Sequence, residues 1–177
     1  MRIIAGKLKG RQFSEPHGHK THPMSEKARG SLFNVLGDID GLTFLDAYAG
    51  SGALSFEAIS RGAKSAAAVE IDKSAHSEII KNIATLGLDK SIRATKANIG
   101  GWSIHNMEKK FDIVLLDPPY DDIRTDVLQK LMNRHVKKGG LAVLSYPVRE
   151  KIHQFDDMQV ATDKNYGDIQ LVFYRKK

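Results

Sequence analysis

Short apolar runs alternate along most of this chain with stretches in which apolar residues recur at helical spacing. Apolar runs bounded by glycine or polar residues are typical of buried strands, and helical spacing indicates amphipathic helices. The predicted strands cover residues 42–46, 66–70, 91–96, 111–116 and 141–146, and the predicted helices cover 53–61, 73–86 and 122–135. This βα alternation predicts an α/β fold with a doubly wound, mostly parallel sheet.

The C-terminal part of the chain departs from this alternation. Residues 159–162 and 170–174 predict two strands joined by a turn through Gly167. Two strands joined by so short a connection must be antiparallel. We therefore expect a hairpin at one edge of the sheet, with Tyr166 and Gly167 near the rim of any site there.

The N-terminal part predicts a small extension of the sheet domain. A hairpin is expected over residues 2–15, a loop over 17–23, and a helix over 25–36 that begins at Ser25 as N-cap. We divide the chain into this extension, residues 1–40, and a main α/β domain, residues 41–177. Both are expected to form one compact unit.

The length and composition exclude several classes of protein. The 177 residues suffice for one domain with a single core, and the absence of cysteine excludes disulfides, thiolate metal sites and a thiol nucleophile. No apolar run approaches the ~20 residues that cross a bilayer. The first residues also lack the apolar core of a secretory signal. We expect a cytoplasmic protein without a membrane partner.

Positive charge is concentrated in the first 30 residues. They contain seven basic and two acidic side chains, 7 − 2 = +5, of a net charge of +6 for the whole chain. A basic segment on a nearly neutral body is typical of nucleic-acid binding through phosphates. A solvated tail is the alternative interpretation.

The most informative motif is Asp117-Pro118-Pro119-Tyr120, which directly follows the predicted strand 111–116. Two prolines remove two backbone N–H donors, so the turn presents carbonyl oxygens together with the carboxylate of Asp117. Acceptors beside an aromatic ring suit the exocyclic amine of a planar base. A turn that only ends the strand would use the same residues.

A second motif, strand then glycine turn then helix, contains Asp46, Gly50 and Gly52. Glycines there permit close approach of a nucleotide-like ligand, and Glu70 at the end of the next strand can accept from both ribose hydroxyls. This geometry serves NAD and S-adenosylmethionine alike. The alternative interpretation of Glu70 is structural, as a carboxylate that the dipole of the following helix stabilises at the helix N-terminus. Because the charge of Asp46 would repel a pyrophosphate and attract a cation, we interpret residues 46–52 as an S-adenosylmethionine loop.

Together these motifs resemble the RsmD-type family, the small-subunit ribosomal RNA guanine-N2 methyltransferases. The resemblance spans nearly the whole chain, and the combination of motifs is much more specific than any one of them. The matching segments are residues 1–11 (MRIIAGKLKGR), 31–36 (SLFNVL), 49–54 (AGSGAL), 57–63 (EAISRGA), 69–70 (VE) and 117–120 (DPPY).

The resemblance implies a Rossmann-like class I S-adenosylmethionine-dependent methyltransferase that modifies the N2 amine of a guanine in 16S ribosomal RNA. Asp46, Gly50 and Gly52 would hold the methionine end of the cofactor and Glu70 its ribose. The implied partner is 16S ribosomal RNA or an assembling small subunit, and the protein is expected to be a monomer. The predicted catalytic residues are Asp117 and Pro118, which would hold the amine, and Tyr120, which would stack on the base. The predicted cofactor-binding residues are Asp46, Ala49, Gly50, Gly52, Glu70, Ile71, Asn98 and Asp117. The predicted RNA-binding residues are Arg2, Lys7, Lys9, Arg11, Lys20 and Arg29, and no metal site is expected.

Two positions depart from the family's pattern. An Arg-Pro-Thr segment with a following Arg-Glu is replaced here by His22-Pro23-Met24 and Arg29-Gly30. Asn98 stands where the family has an aspartate that touches the adenine amine, and its carbonyl oxygen can still accept a hydrogen bond. We expect weaker adenine recognition.

Two other functions fit the motifs. The acceptor turn also suits the amine of adenine, so an adenine-N6 methyltransferase on DNA or RNA is an alternative, although 177 residues leave little room for a region that reads DNA sequence. A non-catalytic RNA-binding assembly factor is the other. Binding of S-adenosylmethionine separates both enzymes from the assembly factor.

Overall fold

The computed structural model describes residues 1–16 and 24–177 and contains one seven-stranded sheet. The sheet order is β3-β2-β1-β4-β5-β7-β6, with β1 to β5 parallel and β7 antiparallel to both of its neighbours. The strands are β1 (Thr43–Asp46), β2 (Ser65–Glu70), β3 (Ile92–Lys96), β4 (Phe111–Leu116), β5 (Val136–Pro147), β6 (Met158–Tyr166) and β7 (Ile169–Lys176). The predicted parallel sheet with an antiparallel hairpin edge is confirmed.

In the part of the chain that the structure describes, five helices cover the two faces of the sheet. They are α1 (Glu26–Leu36), α2 (Ala53–Ser60), α3 (Lys73–Leu86), α4 (Ile99–Ile104) and α5 (Thr125–His135). The first three pack in one apolar cluster with Phe44, Leu115 and Val143, and the last two pack in a second cluster with Leu45 and Val114. Because side chains alternate between the two faces of a strand, successive residues along β1 and along β4 pack alternately in the first and in the second cluster.

Local signals explain where most helices begin and end. The hydroxyl of Ser25 accepts from the Ala28 N–H at the start of α1, and the carboxylate of Asp72 accepts from the Ala75 N–H at the start of α3. Helix α3 ends at Gly87, which adopts the left-handed conformation. The predicted ranges of α1, α2 and α3 therefore agree with the structure to within about one residue.

Some elements differ from the prediction. Helix α4 was not predicted, because two glycines among its six residues lower its helix propensity. The burial of the Trp102 ring and the N-cap by Asn98 stabilise the helix despite this low propensity. Strand β5 starts at Val136 rather than at residue 141, and both C-terminal strands are longer than predicted. The predicted loop 17–23 lies outside the described residues.

The N-terminal hairpin is shorter than predicted: its antiparallel pairing joins residues 1–3 to residues 10–13, around the bridge between Arg2 and Gln12. The segment is also held by α2, the first helix that follows the glycine turn. The carboxylate of Glu57 in α2 accepts from the Ile4 N–H at 2.8 Å and from the Ala5 N–H at 3.0 Å. Two backbone donors just beyond the paired residues are thus satisfied by a buried side chain.

Glu57 is fully buried and is compensated on several sides. Besides the two backbone donors, Arg61 Nε lies 2.7 Å from Oε1 and Arg29 Nε lies 3.8 Å from Oε2. A buried carboxylate is stable only with such partners. The N-terminal segment therefore belongs to the same packed unit as α2. No helix in residues 1–16 and 24–177 is long and apolar enough to cross a membrane.

We expect Gly6→Ala to destabilise the protein more than Gly10→Ala. Both glycines have a φ of 81°, so alanine is strained at each by about 1 kcal/mol. A Cβ at Gly6 would also overlap the backbone carbonyl of Ser60, whereas a Cβ at Gly10 meets no atom within 4 Å. The additional loss at Gly6 should be about 2 kcal/mol.

The two variants can be compared by urea unfolding of the purified proteins. Equal losses of unfolding free energy at Gly6 and Gly10 would show that the N-terminal segment does not press against α2 as described.

Candidate active site

Three acidic residues lie together at the carboxyl edge of the sheet: Asp46, Glu70 and Asp117. Asp46 ends β1 and is paired with Ala68 of β2 and Leu115 of β4. Glu70 and Asp117 stand two positions further along those strands, so all three side chains project to the same face of the sheet. Ligands of open α/β sheets bind outside this edge.

Asp46 is buried, and no described cation compensates its charge. Its Oδ2 accepts from the hydroxyl of Ser55 at 2.8 Å. Burial raises the pKa of Asp46 to about 7, the Ser55 hydrogen bond opposes this, and the negative charges of Asp117 and Glu70 add to it. A carboxylate in this position gains from any cation that enters the site.

Glu70 fixes the shape of the glycine turn. Its Oε2 accepts from the Gly50 N–H at 2.7 Å, and its Oε1 accepts from the Asp72 N–H at 2.8 Å. The N–H of Ala49 is bound to the Val69 carbonyl at 3.0 Å. Each carboxylate oxygen keeps a lone pair for a further donor, such as a ribose hydroxyl.

Different physical constraints account for glycine at the two positions of the turn. Gly50 has a φ of 53°, and a Cβ there would meet nothing within 4 Å, which leaves open space beside the turn. A Cβ on Gly52 would lie 2.7 Å from the ring of Phe56. Close approach of a ligand, the reason predicted for both, therefore fits Gly50, whereas Gly52 is required by packing against α2.

Ile71 and Asn98 flank Glu70 on the surface. Ile71 follows Glu70 directly and is 63% exposed, which is unusual for a large apolar side chain and suits the face of a purine. Asn98 has a contact that was not predicted: its carboxamide oxygen caps α4 by accepting from Gly100 and Gly101 at 3.0 and 3.4 Å. Both lone pairs of that oxygen are engaged, so the adenine amine would have to displace a cap bond.

The Asp117–Tyr120 turn leaves β4 at the same edge. Asp117 is half-buried, Pro118 is buried, and the residues after it are exposed. The turn is closed by a hydrogen bond from the Asp122 N–H to the Pro119 carbonyl at 3.0 Å. Among the described residues no hydrogen bond engages the Pro118 carbonyl, so that oxygen and the Asp117 carboxylate are available acceptors.

Ser145 in β5 is a residue of this site that sequence reasoning missed. It is buried, and its Oγ lies 2.8 Å from the hydroxyl of Tyr120, whose ring is 40% exposed. Burial raises the pKa of Asp117 to about 6, and a hydrogen bond from Ser145 opposes that rise. The only sequence signal was a single hydroxyl in the apolar run of β5.

The predicted RNA-binding residues Arg2, Lys7, Lys9 and Arg11 are all exposed on the N-terminal segment. The Lys7 N–H binds the Ser60 carbonyl at 2.8 Å, at the C-terminal end of α2. Eight helical residues separate that end from the glycine turn, a distance of about 12 Å at ~1.5 Å per residue. Lys7 and Lys9 thus lie well away from the acidic edge, on the same side of the sheet.

The prediction that Arg29 binds RNA is wrong. Its side chain is 0% exposed, its Nη2 donates to the Arg2 carbonyl at 2.7 Å, and its Nε faces Glu57. A guanidinium enclosed in this way cannot reach a phosphate. Lys20, His22 and Pro23 lie outside the described residues.

Fold and site together define a class of protein. A seven-stranded sheet with an antiparallel β7 between β5 and β6, a glycine turn after β1 and an acid at the end of β2 is the architecture of Rossmann-like class I methyltransferases.

Comparison with known proteins leads to one family. The family model named conserved hypothetical protein 95 matches residues 1–175. Ribosomal RNA small subunit methyltransferase D of Buchnera aphidicola (subspecies Acyrthosiphon pisum) is 36% identical over 178 residues, covering 97% of this chain and 91% of that protein. The protein of the same name from Escherichia coli K12 is 35% identical over 144 residues, covering 80% and 70%. The solved structure of the Escherichia coli protein yhhF superposes with a TM-score of 0.89 at 27% identity, covering 100% and 98%. The chain therefore belongs to the conserved hypothetical protein 95 family and is an RsmD-type methyltransferase.

We expect the unfolding free energy to fall as the pH rises from about 4 to about 7, and Asp46→Asn to remove much of this fall. The unfolded chain ionises Asp46 near its ordinary pKa of 3.8, whereas the folded protein does so at about 7. Between these values ionisation favours the unfolded state, by up to ~4 kcal/mol in all.

Urea unfolding at several pH values measures this fall of the unfolding free energy. Asp112→Asn is the control, because its effect on stability should depend on pH in the opposite direction. Hydrogen bonds from Lys137 and Thr43 outweigh burial and lower the pKa of Asp112, so its loss should cost stability at pH 7 and little at acid pH. If Asp46→Asn left the pH dependence unchanged, Asp46 would not be the strained carboxylate described.

Proposed function

We propose that this protein transfers the methyl group of S-adenosylmethionine to the exocyclic N2 amine of a guanine in 16S ribosomal RNA. The observation that carries the proposal is the position of Asp117 and Pro118, two acceptors that directly follow β4, beside Asp46 and Glu70 on the acidic edge. The names of relatives, ribosomal RNA small subunit methyltransferase D, support small-subunit ribosomal RNA as the substrate class.

The acidic edge supports a cationic cofactor. Asp46 and its neighbours would face the positively charged methionine end, while Glu70 would accept from the ribose hydroxyls and Ile71 would contact the adenine. S-adenosylmethionine supplies an electrophilic methyl group when it is bound. NAD fits less well, because its pyrophosphate would meet the carboxylates at the glycine turn.

The turn after β4 would hold the target amine. The lone pair of guanine N2 is delocalised into the ring, so the free amine is a poor nucleophile. Asp117 and the Pro118 carbonyl would accept its two hydrogens, favour a pyramidal nitrogen and stabilise the positive charge that develops on it. The exposed ring of Tyr120 would stack on the base, a contact worth ~1–3 kcal/mol that offsets part of the cost of unstacking.

The N-terminal segment would bind the RNA at a distance from the target base. Arg2, Lys7, Lys9 and Arg11 carry the proposal, and Lys20 is included on sequence grounds. Because Lys7 lies about one length of α2 from the glycine turn, its phosphate contacts would fall on other nucleotides than the methylated one. We place this binding on 16S ribosomal RNA or an assembling small subunit in the cytoplasm.

The product of the reaction tests the proposal. Purified protein is incubated with tritium-labelled S-adenosylmethionine and small ribosomal subunits from cells that lack the enzyme, and the RNA is digested to nucleosides. Label in N2-methylguanosine is the expected result. Label in N6-methyladenosine would assign the amine site to adenine, and failure to bind S-adenosylmethionine would favour the assembly factor.

Asp117→Ala and Asp117→Asn should reduce methyl transfer at least ~100-fold, because each removes the negative charge that would stabilise the positive charge developing on the amine nitrogen. Binding of S-adenosylmethionine, measured by calorimetry, should persist in both variants. The asparagine variant keeps the shape of the side chain, so a loss in both excludes a packing effect. Near-normal turnover in either would disprove the amine site.

Lys7→Ala with Lys9→Ala should weaken RNA binding at all sequences and make it less sensitive to salt, by about one in the logarithmic slope for each lysine. Lys130→Ala is the matched control, since Lys130 is an exposed lysine on α5 and lies 3.9 Å from Asp126. Binding is measured against potassium chloride concentration. If the salt dependence of RNA binding had the same slope in the double variant and in the control, the N-terminal segment would not be part of the RNA interface.

A further inference from the structure

The register of the sheet brings Ser145 next to the amine site. Leu116 of β4 is paired with Leu144 of β5, so the next residues, Asp117 and Ser145, are neighbours just beyond the last paired position. Both side chains project to the face that carries Asp46, because they alternate in step along parallel strands. Ser145 is 1% exposed, so its hydroxyl serves groups inside the protein rather than solvent.

Hydrogen-bond accounting fixes the direction of the contacts. An ionised Asp117 can only accept, and the hydroxyl of Ser145 has a single hydrogen to donate. If Ser145 donates to Asp117, the Tyr120 hydroxyl, 2.8 Å away, must donate to Ser145 Oγ. Burial first, and then the charge of Asp117, raise the pKa of Tyr120 to about 12, so its hydroxyl keeps its proton. A Ser145 hydroxyl that donates to its register neighbour Asp117 therefore gives the order Tyr120 to Ser145 to Asp117.

We infer that Ser145 is a positioning residue whose hydroxyl joins the base-stacking ring of Tyr120 to the amine-holding carboxylate of Asp117. The inference deepens the proposed function and rests on it for its role in the reaction. One hydroxyl would act on two substrate contacts at once: it holds the ring in place at the mouth of the site, and it keeps the carboxylate ionised.

The charged and titratable groups around Asp117 make this hydroxyl important. Asp46 faces it from β1, Glu70 lies beyond Asp46 on β2, and Tyr120 lies in the same turn. Burial and the charge of Asp46 oppose a negative charge on Asp117. Ser145 is the group that opposes the resulting rise in the pKa of Asp117.

A titration that does not depend on activity tests the inference. The carboxyl carbons of aspartate are labelled with ¹³C, and the signal of Asp117 is assigned with Asp117→Asn and followed by NMR against pH. In Ser145→Ala its midpoint should rise by about one pH unit, since a hydrogen bond to a charged group is lost. Ser145→Thr keeps the hydroxyl and should titrate like the unmodified protein.

Ser103→Ala is the matched control for the loss of a buried hydroxyl. Ser103 is 1% exposed, is bonded to His135 at 2.8 Å, and belongs to α4 on the opposite face of the sheet. This variant should leave the Asp117 midpoint unchanged. An unchanged or lowered midpoint in Ser145→Ala, in protein shown by urea unfolding to be folded, would overturn the inference.

The pH dependence of methyl transfer separates this inference from the proposed function. The acid limb of kcat/KM should move upward in Ser145→Ala in parallel with the titration, and return in Ser145→Thr. If Ser145→Ala transfers the methyl group and the acid limb of its kcat/KM profile is unchanged, the role of Ser145 is refuted and the proposed function stands. A shifted titration in a protein that methylates no ribosomal RNA would refute the proposed function while leaving the hydrogen-bonded chain intact.

Discussion

The parallel register of β1, β2 and β4 is the constraint on which the site depends. A slip of one residue in β4 would turn Asp117 to the opposite face of the sheet, away from Asp46 and Glu70. Leu115 packs in one apolar cluster and Val114 in the other, so such a slip would exchange side chains of different shape between two close-packed clusters. The core thus holds three carboxylates together although their mutual repulsion and burial disfavour their charge. A cationic ligand would relieve that repulsion, which connects packing to the proposed chemistry.

Helix α2 connects this edge to the N-terminal segment. All eight of its residues are buried, and its polar ones each have a partner. Ser55 donates to Asp46 at the glycine-turn end, Glu57 binds the backbone of residues 4 and 5, and Ser60 accepts from Leu8 at 2.9 Å. One short rigid helix therefore fixes the distance between the acidic edge and the basic segment.

The sequence predicted the parallel sheet, three of the five helices closely, and the antiparallel edge, because apolar periodicity and capping residues are local signals. The predicted arrangement of Asp46, Glu70 and Asp117 followed from strand ends alone. Arg29 was misjudged because its burial depends on Glu57, 28 positions later, and no local pattern reveals that pairing. Ser145 was missed for the same reason, since its partner Tyr120 lies 25 positions earlier. The cap supplied by Asn98 was missed because it belongs to the unpredicted helix α4.

The binding of Ile4 and Ala5 by Glu57 also sets an order for folding during synthesis. The partners are 53 and 52 positions apart, so the early segment has no place to dock until α2 has been made. At ~5–20 residues per second this delay lasts roughly 3–10 s. Throughout it, the basic side chains around Lys7 lie on a segment that has not docked. The segment thus precedes its docking partner in synthesis and cannot become structured against α2 before α2 has been made.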